Sequence, residues 1–166
     1  MTDIAPVLRG RWSPRSYDPI QTISPDDVSL LLEAARWAPS AMNRQPWRFI
    51  VGIRGDQTRS RLEPFVTGHS DWALDAAALV VNICESDERG IGFYDLGDAV
   101  AHMSIQAEEM GLHVRQFGSF DQQGLAAEFG IEAPFVPITM TAIGVPPAGV
   151  GPGVRERVDV DQLLWI

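Results

Sequence analysis

One stretch near the front of the chain has a marked helix start, a forced helix stop and a strand directly behind it. Ser24 can cap, Pro25 fits the first turn, and Asp26 and Asp27 favour the positive end of the helix dipole. Val28, Leu31, Leu32, Ala35 and Trp37 form the apolar stripe, which stops before Pro39. Trp47 to Ile53 reads as a strand. Between them lies Pro39-Ser40-Ala41-Met42-Asn43-Arg44-Gln45-Pro46, a rigid connection that leaves Ser40 and Asn43 able to bond a polyol or a ring edge. Helix-exit punctuation explains the Pro and Ser, but not Gln45, Pro46 and Trp47 in a row.

The rest alternates helices and strands. Thr58–Val66 reads as a short helix and Trp72–Ala77 as a further turn or two. Leu79–Cys84 reads as a buried strand, and Tyr94–Met110 as the longest helix, ended by Gly111. His113–Phe117 is a short strand. Asp121 caps a helix to Phe129, and Val136–Val145 is β-rich. About four strands and five helices give an α+β pattern. The 166 residues suggest one domain, 1–166. The tail Val154–Ile166 ends in Leu163-Leu164-Trp165-Ile166, which needs cover from the chain's own core or from a partner subunit.

Composition narrows the function. Thirteen basic against 22 acidic residues give a net charge of −9, which argues against non-specific nucleic-acid binding. No apolar run reaches membrane-spanning length and no signal peptide is legible, so a cytoplasmic location is expected. Cys84 is the sole cysteine and reads as core. His69, His102 and His113 lack metal-ligand spacing, and neither a Ser-His-Asp nor a Cys-His set is legible. No catalytic side chain and no metal site are therefore expected.

Two basic clusters remain. Arg11, Ser13 and Arg15 alternate, and alternate residues of an extended segment face one way. Two guanidiniums and a hydroxyl could then converge on one anion. Arg155 and Arg157 form a second alternating pair near the other end. Either cluster alone could be a solvated surface; together they meet only through the fold. Gly118-Ser119-Phe120-Asp121 joins a strand to a helix N-terminus, where a glycine permits close backbone approach to a flat ligand. A plain turn with Asp121 as cap fits the same residues.

The run Glu33–Phe49 resembles the most recognisable segment of the nitroreductase family of FMN-dependent enzymes. Arg11-x-Ser13-x-Arg15 is similar to its N-terminal phosphate motif. Tyr94-Asp95-Leu96-Gly97-Asp98-Ala99 with Met110-Gly111-Leu112 is similar to its central helix, and Gly118–Asp121 to its flavin-facing loop. Ala142–Pro146 resembles its closing strand and Arg155-x-Arg157 its C-terminal basic pair. The resemblance implies a homodimer with a central, mostly antiparallel sheet of about four or five strands flanked by helices. It implies FMN held at the subunit interface. Arg11, Ser13, Arg155 and Arg157 would take the phosphate, and Arg15 would lie near the N1–C2=O edge of the ring. Gly118 and Ser119 would contact the N5 side, and Pro39, Ser40 and Asn43 would reach the FMN of the other subunit. It further implies ping-pong transfer from NAD(P)H to small flat acceptors such as nitroaromatics, quinones or activated alkenes. A flavin carrier or sensor on the same fold, or a small acidic interaction domain without cofactor, are the competing readings. The chain is short for the family, with only a loop between Ile83 and Tyr94. The usual ring-edge Asn has no counterpart; His69 is nearest and is not assigned to the site.

Overall fold

The computed structural model describes residues 4–166. Its regular elements are α1 (Pro6–Gly10), α2 (Pro25–Arg36), β1 (Trp47–Ile53), α3 (Gln57–Leu62), β2 (Ala78–Glu85), α4 (Ile91–Glu109), β3 (His113–Phe117), α5 (Gln122–Phe129) and β4 (Phe135–Gly144). The four strands form one antiparallel sheet in the order β1-β2-β4-β3. The α+β expectation holds, with four strands among the described residues.

Side-chain alternation sends Ala78, Val80 and Cys84 of β2 to one face and Leu79, Val81 and Ile83 to the other. The first face packs against Val28, Leu31 and Ala35 of α2 and Leu96, Ala99, Val100 and Met103 of α4. The second packs against Tyr17, Leu62, Val66 and Leu125. A strand covered on both faces must be apolar throughout, and β2 is, apart from Asn82 and its terminal Glu85. Asn82 is wholly buried, and its Nδ2 donates to Thr139 Oγ1 at 2.9 Å and Thr141 Oγ1 at 2.7 Å. The register slips beside it, with Asn82 facing Thr139 and Ile83 facing Pro137. Pro137 has no N–H for the ladder, so a bulge is tolerated there.

Two glycines set close approaches. A Cβ at Gly52 would stand 2.6 Å from Arg59 Cα, so α3 lies directly on β1. One at Gly92 would stand 2.4 Å from Glu85 O and 2.8 Å from Cys84 Sγ, which seats the start of α4 on the end of β2. The helix there begins at Ile91, three residues before the expected Tyr94. Asp87 is the reason: its carboxylate accepts the N–H groups of Ile91 and Gly92, at 3.3 and 2.8 Å, and Gly90 turns the chain at φ +69°.

Other departures are local. α1, led by Pro6, was not anticipated. The helix expected to reach Val66 ends at Leu62 and tightens into a 3-10 turn through Pro64, which lacks the donor to continue it. The segment expected as a turn or two at Trp72–Ala77 is a longer 3-10 stretch, Gly68–Asp75. The tail does not fold back on its own core: every residue from Gly151 to Ile166 is exposed, Trp165 fully so. The accessible surface of 10044 Å² reflects this. A compact monomer of this mass would expose roughly 8,100 Å².

Candidate functional site

The loop from Pro39 to Gln45 is held by its own hydrogen bonds and by one to α4. Ser40 Oγ accepts the Gln45 N–H at 3.0 Å, and Ala41 N–H donates to Asp95 Oδ2 at 3.1 Å. Asn43 Oδ1 accepts from Gln45 Nε2 at 3.2 Å. Met42, Asn43 and Gln45 all have positive φ, at 52°, 56° and 51°. Three residues of one short loop in a region that only Asn favours among them, with Arg44 between the last two at φ −68°, mark a strained, over-determined loop. Pro39, Ser40 and Ala41 line an open cavity of about 470 Å³ with Ile91, Tyr94, Asp95 and Asp98 of α4. Asp95 is the residue that sequence reasoning left without a role. Its signal was legible: Gly92, Asp95, Leu96 and Ala99 share the buried stripe of α4, and an acid in that stripe needs a partner.

The basic residues gather elsewhere. Arg155 reaches back from the tail and donates Nη1 to Gly10 O at 3.1 Å and Arg11 O at 2.9 Å, and Nη2 to Arg9 O. These are the last carbonyls of α1 and the residue that follows, where a cation is favoured. Arg155 of the tail thus touches the N-terminal segment, a meeting that the charge pattern left open. Arg11 Nη1 lies 3.4 Å from Ser13 Oγ, and Arg157 borders a cavity of about 200 Å³ with Ile4, Leu8, Arg9 and Arg155. Arg155 itself is largely committed to backbone, so it clasps the cluster more than it reaches outward.

From there the N-terminal segment runs beside β3. Trp12 packs on His113 with ring centroids 4.9 Å apart, Pro14 O accepts from Arg115 Nη1 at 3.4 Å, and the Tyr17 hydroxyl donates to Ala142 O at 2.9 Å. Burial raises the Tyr17 phenol well above its ordinary range, so it stays neutral. Arg15 is exposed and has no hydrogen bond or ion pair among the described residues. Gly118 and Ser119, just past β3, are exposed, and a Cβ at Gly118 would meet nothing within 4 Å. A flat ligand could therefore lie on that backbone.

The two groups do not meet within one chain. The Ser40 loop is pinned to Asp95 near the start of α4, whereas Gly10 sits against Glu108 at its end, an added Cβ standing 3.0 Å from the carboxylate. Thirteen residues of helix separate those anchors by roughly 20 Å. Among the described residues no cluster of His, Cys, Asp and Glu could hold a metal, and no helix is long and apolar enough to cross a membrane. His69 is exposed.

Comparison with known proteins points to one family. A family model described as the nitroreductase family matches residues 8–83. YdgI of Bacillus subtilis strain 168, a candidate NAD(P)H nitroreductase, is 22% identical over 86% of this chain and 88% of its own. The CLA biosynthesis enone reductase of Lactiplantibacillus plantarum is 28% identical over 59% of this chain and 45% of its own. The crystal structure of a nitroreductase-like protein of Desulfovibrio desulfuricans in complex with FMN superposes with a TM-score of 0.83 at 26% identity, covering 99% and 98% of the two chains. The motif order, the sheet and these matches agree in one likeness: the chain is similar to proteins of the nitroreductase family, whose model it matches over residues 8–83.

Proposed function

We propose that the protein is an FMN-dependent oxidoreductase that passes reducing equivalents from NAD(P)H to small flat acceptors. The observation that carries this is the Arg155 clasp on the Gly10 and Arg11 carbonyls, with Arg11 3.4 Å from Ser13 and Arg157 bordering one cavity with Arg9 and Arg155, on a chain of net charge −9. A phosphate is the natural occupant of such a set, because forked guanidiniums and a short hydroxyl match its oxygens. Arg15, with no partner among the described residues, would face the N1–C2=O edge of the ring, and the open backbone at Gly118 and Ser119 would take its N5 side. Bound FMN would supply the hydride chemistry, so no side-chain acid or base is required.

The loop of Pro39, Ser40 and Asn43 would serve the site of a second copy, since its own chain holds it roughly 20 Å from the basic cluster. A homodimer follows from that reading. The groove between α2 and α4 lined by Leu30, Ala34, Trp37, His102 and Ile105 supports it, as do the uncovered Leu163–Ile166. Asp95 would hold the loop, and Tyr94 and Asp98 would border the acceptor. Only Ser86–Gly90 connects β2 to α4, so the pocket stays open and acceptor preference broad. Nitroaromatics, quinones and activated alkenes all fit that description.

The test is to purify the protein, record its visible spectrum, and add NADH or NADPH with a quinone or a nitroarene. A yellow protein that oxidises pyridine nucleotide steadily supports the enzyme. A bound flavin that neither nucleotide reduces favours a carrier or sensor, and a colourless protein that takes up no FMN contradicts the reading.

A further inference from the structure

Arg115 has no role in the family motifs, yet its setting is unusual. Its guanidinium carbon lies 4.1 Å from the ring centroid of Trp72. Trp72 is in turn held edge-on by Phe117 at 5.4 Å and stacked by Tyr17 at 6.2 Å. Among the described residues the one hydrogen bond from the Arg115 head is the long one to Pro14 O, at 3.4 Å. It makes no ion pair with a carboxylate among the described residues. The nearby Tyr17 phenol is neutral, so it does not offset the charge. A half-buried cation resting on an aromatic face, without an anion, is costly to keep unless something negative comes to it.

Its position says where that would be. Trp12 stands at His113 and Pro14 at Arg115, so the N-terminal segment and β3 run side by side towards Gly118. Arg115 is three residues before Gly118, roughly 10 Å along the strand. It is also beside the carbonyl that precedes Arg15. A ligand with its phosphate at Arg11 and its ring at Gly118 would pass this head group.

We propose that Arg115 is a second cation, with Arg15, that tunes the bound flavin ring by favouring its negatively charged reduced form over the neutral oxidised one. This rests on the FMN reading above. Trp72 and Pro14 fix the guanidinium in place, and its charge acts on the ring through a partly dry environment, where such fields are little screened.

The experiment is a spectroelectrochemical titration of the FMN-loaded wild type, Arg115→Lys and Arg115→Gln, with thermal melts of each. Arg115→Gln is expected to bind oxidised FMN normally and to lose about tenfold in preference for the reduced form, about 30 mV lower for a two-electron couple. Arg115→Lys should stay near wild type, because it keeps the charge while losing the fork. A flavin-loaded Arg115→Gln with an unchanged potential overturns the proposal, and so does a Lys variant as low as Gln. If Arg115→Gln does not fold, Arg115→His carries the test: its potential should fall relative to wild type as pH rises through the imidazole range, and parallel pH profiles overturn the role. A wild type that takes up no FMN instead sinks the underlying functional reading.

Discussion

The two halves of the candidate site are built in opposite ways. The Pro39–Gln45 loop bonds its polar groups to one another and to Asp95 through Ser40, Asn43 and Gln45, and holds three residues at positive φ. Among the described residues the basic half leaves Arg15 unpartnered and Arg157 bonded only to the neighbouring Glu156 carbonyl, and it is closed by a clasp from an exposed tail. The first half is a finished surface. The second is a set of charges awaiting a partner of opposite sign. One half therefore contributes shape and the other affinity, and substitutions in them should fail differently.

The largest effect should fall in the basic half. Arg11→Ala and Arg157→Ala should each weaken FMN by about 1.5–3 kcal/mol, the worth of a charge-assisted hydrogen bond, while leaving riboflavin nearly unchanged. Fluorescence titration with both flavins checks this, and equal losses for the two would remove the phosphate assignment. Protein stability should hardly move.

Next comes the finished half, where the cost is in stability. Asp95 is buried and accepts the Ala41 N–H. Asp95→Ala should destabilise the fold by about 2 kcal/mol, because the loop donor loses a charged acceptor. Asp95→Asn, which keeps an acceptor oxygen, should cost less. Urea denaturation decides it, and equal stability in all three proteins would mean that Asp95 does not hold the loop. Relieving strain should have the opposite sign. Met42 is 89% exposed at φ 52°, so Met42→Gly removes the left-handed penalty with little packing lost, and should stabilise by about 1 kcal/mol.

The smallest effect is acid sensitivity at two helix starts. Asp27 is held below the usual 3.8 by hydrogen bonds from Ser24, and Asp87 by the Gly92 N–H. A carboxyl depressed in the folded state contributes stability above its unfolded value and loses it as pH falls through the folded one. Melting temperature should thus be flat from neutral pH to about 5 and decline below about 4, where these groups begin to protonate. Asp87→Asn should make that decline shallower. An identical acid limb would exclude Asp87 from it.

Much of this was legible in the sequence because local chemistry decided it. Ser24-Pro25-Asp26-Asp27 starts α2 as expected, β1 runs from Trp47 to Ile53 as read, and Asp121 and Gly130 bracket α5. The meeting of the two basic ends was raised by the alternating charges but not decided by them, since a solvated surface fits either cluster alone. What sequence could not supply was set by distant packing. Arg115 sits beside Val114 on an ordinary strand, and only the fold slides Trp72 beneath it. The start of α4 depended on Asp87 reaching forward to Gly92. The tail had two readings of equal standing, and tertiary structure removed the one in which it covers its own core.

The central claim is that one flavin site needs residues from two copies of the chain. Analytical ultracentrifugation of the FMN-loaded protein at micromolar concentration, followed at the flavin's visible absorbance, tests it directly. The account predicts that the colour sediments with a species of twice 18.2 kDa. Flavin travelling with an 18.2 kDa monomer would contradict it.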